Sequence, residues 1–388
     1  MMQGALAQHI RPLLQSCNTA ADSPHISHTI KSQSQNQNTK IHPKMSRTKT
    51  PTLNIILGAM TFGKPGAEQT RVHSLPACSA ILDVFQKHGH REIDTARFYG
   101  EGSSEEYLGQ LDWQKRGLIM DTKYYPTAGR TMSKSSEPPG GWKHTPEHLR
   151  QNLMDSLKAL KTDKVDMWYL HGPDRTTDFE ITLKAVDELH KEGYFRRFGI
   201  SNYMAWEVAR ICEICREKGY IMPSVYQGVY NALHRSVEPE LFECVRYYGL
   251  AFYNYNPLAG GYLTSRYKRD TKDEELESGS RFDPQKWQGK MYRARYWNDA
   301  YFDALDILRP VASKLGVTEV ECALRWMTHH SKLKGEFGDG IIIGASSPEQ
   351  LEQNLKALED QRPLPTDIIA ALDAGWERVK AISGRYWH

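Results

Sequence analysis

From residue 53 onward, short apolar runs alternate with longer stretches whose apolar positions recur at helical spacing. The short runs centre on Ile55, Ile93, Ile119, Met167, Phe198, Val225, Phe252 and Ile342, and their length suits strands rather than helices. The intervening stretches, near 74–88, 103–112, 146–160, 179–192, 205–218, 238–248, 301–315 and 348–358, place apolar residues on one helical face. A strand followed by a helix, eight times over, is the pattern of βα units around a parallel sheet. No second core interrupts it. The pattern therefore predicts an α/β fold over residues 51–388, a closed (β/α)8 TIM barrel rather than an open doubly wound sheet. Helical patterns at 318–330 and 366–382 exceed the repeat, and the second gives an extra C-terminal helix. The stretch 264–296, polar and rich in Arg, Lys and Tyr, makes the seventh βα loop longer than a barrel needs. Loops of that length are usually functional lids or disordered.

Residues 1–50 follow a different rule. They are rich in Ser, Gln, Asn, Thr and His, with SQSQNQNT at 32–39, and too polar to bury a core, so they read as a disordered extension. The first 14 residues have helical apolar spacing, one Arg and no acid, which leaves two readings open: a mitochondrial presequence, or an upstream extension with Met45 as the working start. Six bases against one acid give residues 1–50 a charge of +5, so the +3 of the whole chain leaves −2 for the remainder. A slightly acidic body offers no field for nucleic acid, and no run of 18 apolar residues could span a bilayer. A soluble protein is expected, cytoplasmic, or mitochondrial if residues 1–44 act as a presequence. The six cysteines, in so long a chain without a secretory signal, read as reduced thiols. Cys212 and Cys215 alone are spaced as C-x-x-C, inside a helical stretch rather than at its start, where the dipole would acidify a thiol.

A barrel enzyme carries its chemistry at the C-terminal ends of its strands. Three apolar runs end there in reactive side chains: one in Asp94, one in Lys123 and one in His171. Tyr99 follows Asp94 by five residues, on a loop able to fold back over the same mouth. The four together suit reduction of a carbonyl. Hydride arriving at the carbonyl carbon builds negative charge on oxygen, which needs a proton donor and hydrogen bonds already in place. A free Tyr, with a pKa of about 10, donates poorly until a neighbouring cation stabilises its phenolate. Lys123 would supply that cation, Asp94 would hold it ionised, and His171 would orient the carbonyl oxygen. The plainer alternative at this stage is an ion pair on a barrel rim beside a satisfied His and a surface Tyr.

Several motifs occur in one order along residues 53–388: GAMTFG at 58–63, EIDTARFY at 92–99, VDMWYLHGPD at 165–174, FGISNY at 198–203, YQGVYNAL at 226–233, YNPLAGGYLT at 255–264 and GASSPEQLEQN at 344–354. In these the chain resembles the aldo-keto reductases, within them the branch of aflatoxin-aldehyde and succinic-semialdehyde reductases. The resemblance implies NADPH as cofactor and a small-molecule carbonyl as substrate, with Asp94, Tyr99, Lys123 and His171 the catalytic four and Tyr99 the acid. It implies that Ser201, Asn202 and Gln227 hold the nicotinamide carboxamide and that Tyr255 stacks on the nicotinamide. Residues 256–266, with Asn256, Pro257, Leu258, Gly260, Gly261 and Arg266, resemble the pyrophosphate loop. Gly344, Ser346, Gln350 and Asn354 lie where the last strand runs into its helix, a natural anion site. By the same resemblance Ser346, Gln350 and Asn354 grip the 2′-phosphate together with Arg281, and Gly344 contacts the cofactor. Tyr292 and Arg295 match the substrate-binding part of the seventh loop, beside His171. At the C-terminus the chain departs, ending Arg385-Tyr386-Trp387-His388 where relatives typically end in an arginine. Two readings stay open: Arg385 substitutes for it, or the preference for a carboxylate-bearing substrate is lost. A homodimer is a candidate assembly.

The chain has no G-x-G-x-x-G, so the cofactor is not expected on a Rossmann fingerprint. Residues 58–64 read G-x-x-x-x-G-K, the opening of a phosphate-binding P-loop, but Pro65 follows and has no hydroxyl for magnesium. Two rival functions remain open: a non-catalytic, NADPH-binding regulatory subunit on the same fold, and an aldolase using Lys123 as a Schiff-base nucleophile.

Overall fold

The computed structural model describes residues 52–129 and 137–388. The expected extension over residues 1–50 lies outside them. Eight parallel strands, β1 (Asn54–Gly58), β2 (Glu92–Asp94), β3 (Ile119–Tyr124), β4 (Val165–Leu170), β5 (Phe195–Ser201), β6 (Pro223–Val229), β7 (Ala251–Tyr255) and β8 (Gly340–Ile343), pair in chain order. β8 pairs with both β7 and β1, which closes the barrel. Every predicted strand is present. The period of two sorts their side chains. Ile56, Met167, Tyr169, Val225, Ala251, Tyr253 and Ile342 pack together as one buried cluster inside the barrel. Leu57, Ile93, Trp168, Leu170, Phe198 and Ile200 belong instead to the core shared with the helices.

The helices begin where the sequence supplies caps. α1 (Leu75–Lys87), α2 (Ser103–Leu108), α3 (Pro146–Leu160), α4 (Phe179–Lys191), α5 (Ala205–Lys218) and α6 (Leu241–Tyr247) follow the first six strands. Ser74, Thr145 and Asp178 accept backbone N–H bonds at the starts of α1, α3 and α4. α1 and α3 also carry a proline in their first turn, where no N–H is needed. Between β7 and β8 lie α7 (Trp287–Tyr296), α8 (Asp299–Lys314) and α9 (Glu319–His329); α10 (Pro348–Glu359) and α11 (Thr366–Val379) complete the chain. Cys212 and Cys215 are buried in α5, and burial pushes both thiols up to about 12, which leaves them inert.

Two expectations change here. The sequence pattern places 301–315 in the repeat and 318–330 outside it, yet α9 packs against α10, which packs against α1, while α8 pairs with α11. The ring helix is therefore α9. Both segments are amphipathic, and only packing decides which one meets the strands. The second change is α7, inside a stretch expected to be a polar loop. Its tyrosines are core: Tyr292 and Tyr296 pack with Tyr262, Phe282 and Tyr301 at ring separations of 5.4–6.2 Å. A close backbone crossing sets α7 in place, since a Cβ on Gly289 would lie 1.7 Å from the Asp283 carbonyl oxygen. No helix among the described residues is long and apolar enough to cross a membrane, and no His, Cys, Asp or Glu cluster among them could hold a metal.

Candidate active site

The strand ends bring the first functional group together. Asp94 is the last residue of β2, and Lys123 stands one residue from the end of β3 with no exposed surface. Lys123 Nζ donates to Asp94 Oδ2 at 2.6 Å and to the Thr95 carbonyl at 2.6 Å. Gln227 Nε2 donates to the other Asp94 oxygen at 2.8 Å. Burial holds the ammonium below the usual lysine range, and Asp94 works against that. Tyr99 opens a turn after β2 and crosses over this pair, its ring centre 4.8 Å from Lys123 Nζ. Burial foremost, then the Asp94 charge, keep the Tyr99 proton on well above the ordinary phenol range, while Arg281 opposes them. His171 follows β4 directly, and its ring meets Tyr99 edge-on at 5.6 Å. The four residues named from strand ends and loop spacing thus meet at one mouth.

The next strands supply an amide shelf. Ser201 ends β5, and Asn202 after it takes a left-handed backbone (φ 66°), tolerated by asparagine. Asn202 Nδ2 donates to the His171 carbonyl at 2.9 Å, and its Oδ1 accepts from the Tyr255 hydroxyl at 2.7 Å. Asn256, after β7, repeats the left-handed backbone (φ 60°) and accepts from the Tyr292 hydroxyl at 2.7 Å. Pro257 and Leu258 lead into a 3-10 turn, Ala259–Gly261. Gly260 has φ 72° there, and a Cβ would come 2.3 Å from the Tyr292 ring, so the turn and α7 close on each other only through glycine. Beyond β8, Gly344 opens beside Arg281, whose guanidinium lies 5.6 Å from the Tyr292 ring centre. No carboxylate pairs with Arg281 among the described residues. Ser347 caps α10, and the Gln350 side chain turns back to accept from the Ser346 amide at 3.0 Å and hydroxyl at 2.9 Å. Asn354, one turn later, is buried.

These groups line one cavity of about 800 Å³, with Lys123 and Ser201 just behind its wall. The volume exceeds what a small substrate alone would need. The model of the aldo/keto reductase family matches residues 54–377. The chain belongs to that family. It is 48% identical over 335 residues to the aldo-keto reductase pigE of Monascus ruber, covering 86% of this chain and 97% of the relative. It is 42% identical over 344 residues to human aldo-keto reductase family 7 member A3, covering 87% and 96%. With human aflatoxin B1 aldehyde reductase member 2 it shares 42% over 345 residues, covering 86% and 89%.

In this aldo-keto reductase most of the expected residues reach the cavity, and Arg385 does not. Arg385 is exposed and stacks on Trp387 at 4.5 Å, because the chain turns at Tyr386, whose hydroxyl is buried against the Ala205 amide at 3.1 Å. The cavity is lined instead by His388, whose amide donates to the Asn202 carbonyl at 3.1 Å. Arg295 and Tyr292 both line it, but Tyr292 is spent on Asn256 and the glycine turn. Arg266 stands at the edge, paired with Glu277 at 3.1 Å. Sequence reasoning missed Phe98, Tyr125 and His388, which with His171 make an aromatic wall. Tyr125 had a readable signal, since it directly follows the end of β3.

Proposed function

We propose that this aldo-keto reductase uses NADPH to reduce an aldehyde or ketone to the alcohol. The observation that carries the reading is the buried Lys123–Asp94 pair under Tyr99, with His171 beside it and the cavity in front. Bound NADPH would supply hydride to the carbonyl carbon. Tyr99 O–H would break as the substrate O–H forms, the Lys123 ammonium would stabilise the phenolate left behind, and Asp94 would keep Lys123 charged and oriented. His171 would hold the carbonyl oxygen toward the Tyr99 hydroxyl. Asn202, Ser201 and Gln227 would hold the carboxamide, with Tyr255 stacked on the ring. Relatives named as aflatoxin B1 aldehyde reductases support an aldehyde as substrate. Lys123 donates to two acceptors behind the cavity wall, which favours an ammonium over a Schiff-base nucleophile. A panel of aliphatic and aromatic aldehydes and ketones, assayed with NADPH and NADH, tests the reading. Tight NADPH binding without oxidation by any carbonyl would point to a regulatory subunit instead.

Arg281, which pairs with no carboxylate among the described residues, supports binding of a 2′-phosphate, since a guanidinium beside a helix start suits that group. Arg281→Ala is therefore expected to weaken NADPH binding on the order of ten- to a hundredfold, the value of one charged hydrogen bond, and to leave NADH nearly unaffected. Fluorescence titration with both cofactors measures this; equal weakening of the two would remove Arg281 from the phosphate site. All residues in the scheme lie beyond residue 90, so deleting residues 1–44 is expected to leave kcat/KM within about twofold. Loss of activity in the truncated protein would give the segment a part in folding.

A further inference from the structure

Beneath the Lys123–Asp94 pair the barrel interior holds a second set of charges, and one of them receives no hydrogen bond from any described residue. Glu92 accepts from Arg197 Nη2 at 2.7 Å and from the Tyr253 hydroxyl at 3.3 Å, and also from the Asn54 amide. Asp166, at the foot of β4, pairs with Arg196 and Arg197. Asp121 remains. It faces Asp94 in the β2–β3 register, has no exposed surface, and neither of its oxygens receives a hydrogen bond from any described residue. Its charged neighbours are the Glu92 carboxylate and the Arg197 guanidinium, and Arg197 directs its hydrogen bonds to Glu92, Asp166 and the Tyr253 hydroxyl rather than to Asp121. A buried carboxylate with no donor beside another carboxylate is untenable, whereas a carboxylic acid donating to that carboxylate is stable. On β3, Asp121 and Lys123 point to the same side, about 7 Å apart by strand geometry.

We propose that Asp121 holds a proton inside the barrel at neutral pH, donated to Glu92, and that losing it as pH rises sets a negative charge beneath Lys123 that keeps Tyr99 and Lys123 protonated into the alkaline range. Burial first, then the Glu92 charge, push the Asp121 carboxyl well above the usual carboxylate range against the opposing pull of Arg197, and a charged Asp121 in turn raises Lys123. Tyr169, also turned inward, is raised by burial and by the same charge. Asp121 is thus a positioning residue acting through Lys123, and the inference about catalysis rests on the reductase reading.

The test uses Asp121→Asn, which keeps the shape of the protonated acid and cannot ionise. The alkaline limb of reductive kcat/KM is expected to move down by about one pH unit, so the ratio of alkaline to neutral activity drops roughly tenfold. A purely structural role would lower activity equally at all pH values, and an unmoved limb overturns the proposal. Infrared spectra of protein with 13C-labelled aspartate provide a readout without turnover. The wild type should show a protonated aspartate carboxyl at neutral pH that fades as pH rises and is missing from the variant. Its absence from the wild type also overturns the proposal. If the band is present but no carbonyl is reduced, the reductase reading has failed and the buried proton has not.

Discussion

Replacing Tyr99 with phenylalanine is expected to lower kcat roughly 10²- to 10⁴-fold while NADPH affinity stays close to that of the wild type. The magnitude is that of a positioned general acid, which is the part the hydroxyl would play. The substitution spares the rest of the site. The phenyl ring can keep its edge contact with His171 and its place over Lys123, and neither Asp94 nor Lys123 loses a hydrogen-bond partner to the change. The amide shelf of Asn202 and Tyr255 and the glycine turn before α7 are separate from the hydroxyl, so cofactor binding has no reason to fall. Single-turnover rates beside a fluorescence titration would separate the two quantities. A variant that turns over at nearly the wild-type rate would remove Tyr99 from the acid role, and a loss confined to NADPH binding would make it a cofactor contact.

The barrel and the four residues at its mouth were legible because each rests on local pattern. A short apolar run ending in Asp94, Lys123 or His171 needs no tertiary information beyond the rule that chemistry sits at the strand ends. What was hidden depended on contacts distant in sequence. α8 and α9 have equally good helical faces, and the choice between them is made by α10 and α11. α7 looked polar because its tyrosines were counted with its arginines, yet Tyr292 and Tyr296 are among the buried rings that hold the seventh loop. Arg385 looked like a substrate ligand by position, and the burial of Tyr386 turns it to solvent and brings His388 to the cavity. Gln350 was expected at a phosphate; its side chain also closes the start of α10, a local hydrogen bond that spacing does not reveal. Asp121 sits two residues before Lys123 on an inward face, where a strand pattern predicts an apolar residue, and its meaning depends on which cations its neighbours have already taken.

The Lys123–Asp94 pair makes the second large prediction, one of stability as well as rate. Lys123→Met removes the only cation bonded to Asp94 among the described residues and leaves that buried carboxylate with the Gln227 amide. Removing one partner of a buried pair is expected to destabilise the fold by roughly 3 to 5 kcal/mol, because the remaining charge stays desolvated without its counter-ion. Turnover should fall with it, since the cation over the Tyr99 ring would be gone. Adding Asp94→Asn to the same chain removes the uncompensated charge, and the asparagine can still accept from Gln227. The double variant should therefore regain most of the lost stability while staying inactive, which is the non-additive signature of two groups that act as a pair. Denaturant midpoints of the wild type, both single variants and the double variant supply the cycle. If the two substitutions simply add, the carboxylate does not depend on Lys123, and the ion pair loses its place as the foundation of the site.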